Sequence, residues 1–450
     1  MYLSPQFTLK EHRMTTNRRL LLASAALAFS VAAVIGCSSS SSNNGVNPAF
    51  TKVVVIGDSL SAGFQNGSLL DSQQPNGWAS LVATQAFFKL PLPLIAAPGA
   101  PAVLELVSLG PPPVLQQAAG TSPGRDNPSV QALDLAVPGH TLADVINRVP
   151  VLIPASAEDV ITDAVLALPL GNDQSQMNLA IRLKPTTIFV WAGNNDALAA
   201  DIAGTPAVMT PLGTFTQEFQ QLINTLHTQT KSTLVVANIP DVTLVPYLTP
   251  AALIIGEVSA ASGLPAPVVS ALLGIHPGDL VNTTGLAQVQ AAIAALKQGH
   301  PPTPLTDTGF LSAAEVAQVQ AAVDGYNAAI AQQVSAAGGV LVDIHAYLNN
   351  AAQNGVNIAG FPATTAFLGG LFSLDGIHPT NTGYALIANE YIAAMNAALK
   401  TNLSAVDVTR IAAQDPLFPP NIKVSGAAVH ISLQAAQQAD RVIRPAAAFR

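Results

Sequence analysis

The chain has 450 residues, of which 49% are hydrophobic and only 10% charged, a balance that excludes a disordered chain and leaves ample material for one large α/β domain with insertions. Its 18 Lys and Arg against 26 Asp and Glu give a net charge of -8, so no basic surface exists to neutralise phosphates, which argues against nucleic-acid binding. Mean hydropathy is +0.39, yet the later apolar stretches are broken by Pro, Gly and polar residues before about 18 clean positions, which disfavours an integral channel or transporter.

At the N-terminus, Arg18 and Arg19 precede an apolar run over 20–36, then Cys37 and a serine tract over 38–42. A basic start, an apolar middle and small residues at the cleavage point make an export signal. Val34-Ile35-Gly36-Cys37 resembles the lipobox of bacterial lipoproteins, which implies that 1–36 is removed and that Cys37 carries lipid; an ordinary cleaved signal and a retained anchor helix are the other readings. Lys10, Glu11 and His12 are an odd preface to a signal, so translation is expected to start at Met14. Cys37 is the only cysteine, so an exported protein can form no internal disulfide. Residues 37–50 are read as lipidated cysteine and flexible tether. Ser38 stands after the cysteine where Asp is the inner-membrane signal; by resemblance to lipoprotein sorting in double-membraned bacteria this favours the outer membrane, with periplasm or cell surface as the wider expectation.

Residues 51–56 are a β-branched run ended by Gly57-Asp58, the pattern of a strand buried on both faces. Similar runs lie at 186–192, before Gly193-Asn194-Asn195-Asp196, at 233–237, before Asn238, and at 339–344, before His345. Helical patterns at 215–230, 313–337 and 382–399 alternate with them, which predicts a parallel sheet covered by helices on both sides. Two stretches, about 91–128 and 246–304, read as insertions, either substrate walls or inert decoration. The body is expected over 51–400, and 401–450 is a C-terminal extension that the pattern leaves unassigned.

In an open parallel sheet ligands bind beyond the carboxyl ends of the strands. Ser59, just past the first strand, is a nucleophile there only if a base and an oxyanion site accompany it. Asp375 stands three residues before His378, close enough to turn back and accept the ring N–H, which leaves the other nitrogen free for a serine proton. The bland readings are a turn cap for Asp375 and a surface histidine for His378. Asn195 could aim its amide into the same crevice, or merely form a turn. Gly139 offers a backbone N–H that a ligand can approach closely. Asp343 and His345 are the rival base pair, ranked below, and His140 is read as an exposed loop residue. Asp58 and Asp196 are expected to hold loops through backbone hydrogen bonds.

Gly57-Asp58-Ser59-Leu60, the glycine at 139, the Gly193-x-Asn195-Asp196 loop and Asp375-x-x-His378-Pro379, in that order, resemble the SGNH or GDSL hydrolases. The resemblance implies a three-layer α/β/α sandwich of flavodoxin-like topology with helical insertions. It implies Ser59, His378 and Asp375 as catalytic residues, and the Ser59 N–H, Gly139 and Asn195 as the oxyanion hole, with no metal and no cofactor. Position 61 is Ser, which departs from the Gly-x-Ser-x-Gly elbow of α/β-hydrolases, and Ala136-Val137-Pro138 stand before Gly139 where the family commonly has Asn. The implied function is a lipid-anchored, extracytoplasmic esterase or lipase acting on a small-molecule or lipid ester. The apolar residues Leu253, Ile254 and Ile255 and the segment 366–374 suit an acyl chain. A carbohydrate O-deacetylase or thioesterase on the same site, and a non-catalytic surface-binding lipoprotein, are the alternatives.

Overall fold

The computed structural model describes residues 47–109, 113–167, 174–424 and 427–428. Cys37, the signal sequence and Met14 lie outside the described residues, as do the positions after 428.

In chain order the strands as far as residue 342 are β1 (Val53–Gly57), a hairpin of β2 (Leu104–Ser108) and β3 (Val114–Gln117), β4 (Thr187–Trp191), β5 (Thr233–Ala237), the short β6 (Thr249–Pro250), β7 (Leu280–Val281) and β8 (Phe310–Leu311), and β9 (Val340–Val342); two short hairpins follow. The central sheet runs β1-β4-β5-β9, every pairing parallel. A degenerate fifth strand flanks β1 on its other edge, where Val55 pairs in parallel with Asp134. Val55 N–H donates to Leu133 O, and the N–H groups of Leu135 and Val137 donate to Val55 O and Gly57 O. Counting that segment, the second strand in sequence sits outside the first. This is the flavodoxin-like order, whose reversal point opens a crevice beyond β1 and β4.

Period-two alternation explains the layers. Val54 and Ile56 face one apolar cluster, while Val53 and Val55 face another. On the first face the helix Leu212–Thr230 buries Phe215, Phe219, Leu222, Ile223 and Leu226, and the helix Ala313–Ala336 buries Val319, Val323, Tyr326, Ile330 and Val334. These are the spacings of a single helical stripe. On the second face the helices Trp78–Ala86 and Asn381–Leu399 meet through Trp78 and Tyr391, whose rings stack at 3.7 Å. The chain is a three-layer α/β/α sandwich, as its sequence pattern predicts.

The expected boundaries shift in three places. Phe50, assigned from sequence to the tether, is fully buried, so the body begins before it. The described part of the extension expected after 400 packs on the body: Val406, Phe418 and Ile422 are buried, and Asp415 accepts from the N–H and hydroxyl of Thr382. The second insertion continues to Leu311, because β8 completes a small antiparallel sheet with β7 and β6. Its helices Ala251–Ser262, Ala266–Leu273 and Thr283–Lys297 close a core of their own around Ile254, Val258, Val269 and Ile293. Among the described residues no single helix is long and apolar enough to cross a membrane; the first two of these helices pass such a test only as a pair bent by 115°.

Candidate active site

The crevice is built where β1 and β4 end. Gly57 closes β1 at φ +151, and a Cβ there would collide with the Trp191 carbonyl of β4. Gly193 follows β4 at φ +101, and its Cβ would lie 2.7 Å from the Phe215 ring. Both positions therefore require glycine, and both let the chain turn sharply into the next helix.

Ser59 opens the helix Ser59–Ala62, with Asp58 as N-cap accepting from Leu60 N–H. At this position the Ser59 N–H has no carbonyl one turn back to bond, so it is free to donate into the crevice. The Asp58 carboxylate also accepts from the Asn194 side chain at 2.8 Å. Burial pushes its pKa up to about 6 against those hydrogen bonds.

The His378 loop arrives from the far end of the chain. His378 Nε2 lies 2.7 Å from Ser59 Oγ, and His378 Nδ1 lies 3.0 Å from Asp375 Oδ2. Asp375 accepts further from the N–H groups of Ile377 and His378, both at 2.9 Å, and from Gly67 at 2.6 Å. Burial alone would raise its pKa, but the neighbouring His378 and these donors outweigh it and hold the carboxyl below its ordinary value. An ionised Asp375 fixes the proton on Nδ1 and leaves Nε2 as the acceptor facing the serine hydroxyl. The loop is further tied to the serine side: Asn66 N–H donates to Ser373 Oγ, Asn66 Oδ1 accepts from Leu374 N–H, and the Phe64 ring packs 4.7 Å from the imidazole.

Asn195 lines the same cavity as Ser59 and His378. One of its amide hydrogens is donated to His140 O at 2.8 Å, which orients the group and leaves the second hydrogen for a ligand. Gly139, next along that anchoring loop, is exposed. The structure thus brings together Ser59, Asn195, Asp375 and His378, and ties the Gly139 loop to them through His140. Asp196 accepts from Leu142 N–H and the Thr210 hydroxyl, holding that loop as expected. Asp343 and His345 are taken up elsewhere, Asp343 by Asn238 and Ala346 N–H, His345 by the Ile239 carbonyl.

His140 corrects the sequence reading. It is fully buried, not exposed, with Nε2 at 2.9 Å from Thr162 Oγ1 and Nδ1 at 3.0 Å from Gln176 Nε2. Burial pushes its pKa down to about 4, so it is neutral. Gln176, which no motif marks, brackets Gly57 by accepting from its N–H and donating to its carbonyl. One side chain thereby couples the end of β1 to His140.

The cavity is narrow, with a volume of about 50 Å³. Its wall is apolar, drawn from Trp191, Leu198, Val242, Leu371, Phe372 and Ile387 among others. Of the residues expected to suit an acyl chain, the 366–374 segment does reach the cavities, but Ile254 and Ile255 are buried in the insertion core instead. Among the described residues no group of three or more His, Cys, Asp or Glu is placed to hold a metal ion.

A family model described as GDSL-like Lipase/Acylhydrolase matches residues 53–391. A search of curated proteins finds no match. Solved structures similar to the chain include the lipase/acylhydrolase from Enterococcus faecalis, at 13% identity over 79% of this chain and 98% of that one with a TM-score of 0.32. The extracellular lipase from Streptomyces rimosus matches at 13% over 77% and 99%, TM-score 0.34. A variant of an acetyl xylan esterase from Geobacillus stearothermophilus matches at 12% over 77% and 94%, TM-score 0.34.

Proposed function

Because the chain belongs to the GDSL-like lipase/acylhydrolase family, we propose that this ester hydrolase is a serine esterase or lipase working through Ser59, His378 and Asp375. The observation that carries the reading is the unbroken hydrogen-bond chain from Ser59 Oγ through both ring nitrogens of His378 to Asp375. Ser59 attacks the ester carbonyl while His378 Nε2 takes its proton, and Asp375 stabilises the imidazolium. The tetrahedral oxyanion is met by the Ser59 N–H, the Gly139 N–H and the free Asn195 amide hydrogen. His378 then protonates the leaving alcohol, and water repeats the sequence in reverse to release the acid.

The apolar wall around Ser59 favours an acyl chain over an acetylated sugar, whose hydroxyls would lose water there without partners. The same five groups would cleave a thioester. A binding lipoprotein has no need of a histidine poised on a serine hydroxyl. We assign the protein to the membrane of a bacterium, exported and anchored through Cys37, on the strength of the sequence Val34-Ile35-Gly36-Cys37. Two acyl chains, at about 0.8 kcal/mol per buried CH2, hold such an anchor stably.

A fluorophosphonate probe followed by peptide mass mapping tests the nucleophile. The adduct is expected on Ser59 and strongly reduced in His378→Ala. Labelling at another serine, or none at a concentration that labels known serine esterases, would overturn the assignment.

A further inference from the structure

The catalytic cavity shares part of its wall with a second space. Leu244, Val245 and Thr365 line it and also line a groove of about 590 Å³. That groove is walled from three separate parts of the chain: Leu253, Leu280 and Leu286 of the second insertion, Leu115 of the β2–β3 hairpin, and Phe367. Resting on the esterase reading above, we propose that this groove, which shares the wall of Leu244, Val245 and Thr365 with the catalytic cavity, receives the distal half of the acyl chain of a long-chain ester whose carbonyl lies at Ser59.

Two features separate this from an insertion that merely completes a core. The insertion already has its own core, in which Ile254 and Ile255 are buried, while Leu253 beside them is turned to the groove and left 40% exposed. Leu244, at the junction of the two spaces, is 36% exposed. Large apolar side chains left open to water along a concave wall suit an apolar ligand. Because Leu244, Val245 and Thr365 border both spaces, a chain that leaves the cavity of Ser59 past these side chains reaches the groove, so one molecule can occupy both. On the polar margin Thr283 donates to the Tyr247 hydroxyl and Gln320 to the Thr243 hydroxyl, both at 3.1 Å.

The test is kcat/KM for p-nitrophenyl acetate, butyrate, octanoate and palmitate, with the full-length protein in mild detergent. Each methylene moved from water to the groove contributes up to about fourfold, from about 0.8 kcal/mol per CH2. The wild type should therefore rise through octanoate to palmitate. Leu253→Asp, which charges the wall, and Leu253→Trp, which fills the space, should each lower the palmitate-to-acetate ratio at least tenfold. Val268→Asp, equally exposed on the insertion but outside the groove, should keep the wild-type ratio. A wild-type profile that falls beyond butyrate, or a ratio unchanged in both Leu253 variants, would overturn the groove and leave the esterase standing. Failure to hydrolyse any of the four esters would overturn the esterase reading, and the groove with it.

Discussion

His378 Nε2 rests 2.7 Å from Ser59 Oγ although 319 positions separate the two residues. Neither loop could hold that distance alone. The serine is fixed by Gly57 at the end of β1 and by the Asp58 cap, the histidine by Asp375 and by Asn66 and Phe64, which reach across from the serine side. The pair is a product of the whole sandwich, and its chemistry can be probed one partner at a time.

Asp375 should act on rate rather than on binding. Asp375→Asn keeps the shape but reverses the hydrogen-bonding preference of His378 Nδ1, presenting the wrong tautomer to the serine. A fall of about 10⁴-fold in kcat with little change in KM is expected; a loss below tenfold would show that another group orients the ring.

Asn195 should matter only when charge develops on the carbonyl oxygen. Asn195→Ala is expected to lower kcat by about 10² to 10³ while the protein stays folded. Circular dichroism and steady-state kinetics on the same sample check this, and unchanged turnover would remove Asn195 from the oxyanion hole.

Gln176 is predicted to be a structural linchpin with a catalytic consequence. Gln176→Leu strands the N–H of Gly57 and one nitrogen of His140, both buried, and leaves the Gly57 carbonyl with the Val137 N–H as its remaining donor. An unsatisfied buried group costs about 1–3 kcal/mol, so a marked drop in thermal midpoint is expected, with slower turnover because Gly57 lies two residues from Ser59. A midpoint within a degree of wild type would contradict the role given to this side chain.

Stability should peak on the acid side of neutrality. Burial pushes Asp134 up to about 8 and Asp58 up to about 6, and raises Asp196 and Asp201 as well. These folded carboxyls hold protons that the unfolded chain has lost, so their contribution falls as pH rises from about 4 through 8. Asp375 and His140 have the opposite sign: both values are depressed in the folded chain, so the Asp375 contribution is lost only as the pH drops below the ordinary carboxylate range, and the His140 contribution falls as the pH drops from about 6.5 to about 4, which the several raised carboxyls outweigh. The unfolding midpoint should be higher at pH 5 than at pH 8, and Asp134→Asn should shrink the difference. A midpoint that is higher at pH 8 would refute the assignment of these carboxyls as protonated.

Anchoring is tested by fractionation of cells expressing the full chain. The wild type should sediment with membranes and partition into detergent, and Cys37→Ser should shift to the soluble fraction. Equal partitioning of both would rule out the lipid anchor.

The parallel sheet and the loop ends that carry Ser59, Asn195, Asp375 and His378 are legible in the sequence because β-branched runs and the polar turns after them are local signals, whereas the order of strands is implied only by the family resemblance. What surrounds those residues is not. Gln176 and Asn66 act through bonds to backbone groups over 100 and 300 positions away, and a glutamine or asparagine in a helix or loop carries no pattern that announces such a partner. His140 misleads for the same reason: Gly139-His140 reads as an open turn until the helices bearing Thr162 and Gln176 close over it. The sequence pattern leaves the segment after 400 unassigned, yet in its described part single apolar residues such as Val406 and Phe418 dock onto the body. The walls of the two cavities are likewise assembled from segments that meet only in the fold.

The most direct measurement is hydrolysis of p-nitrophenyl esters by the wild type and by Ser59→Ala at equal folded concentration. The account predicts measurable turnover in the wild type and a loss of at least a thousandfold in the variant. Turnover that survives in Ser59→Ala would contradict it, because hydrolysis would then proceed without the hydroxyl on which His378 is poised.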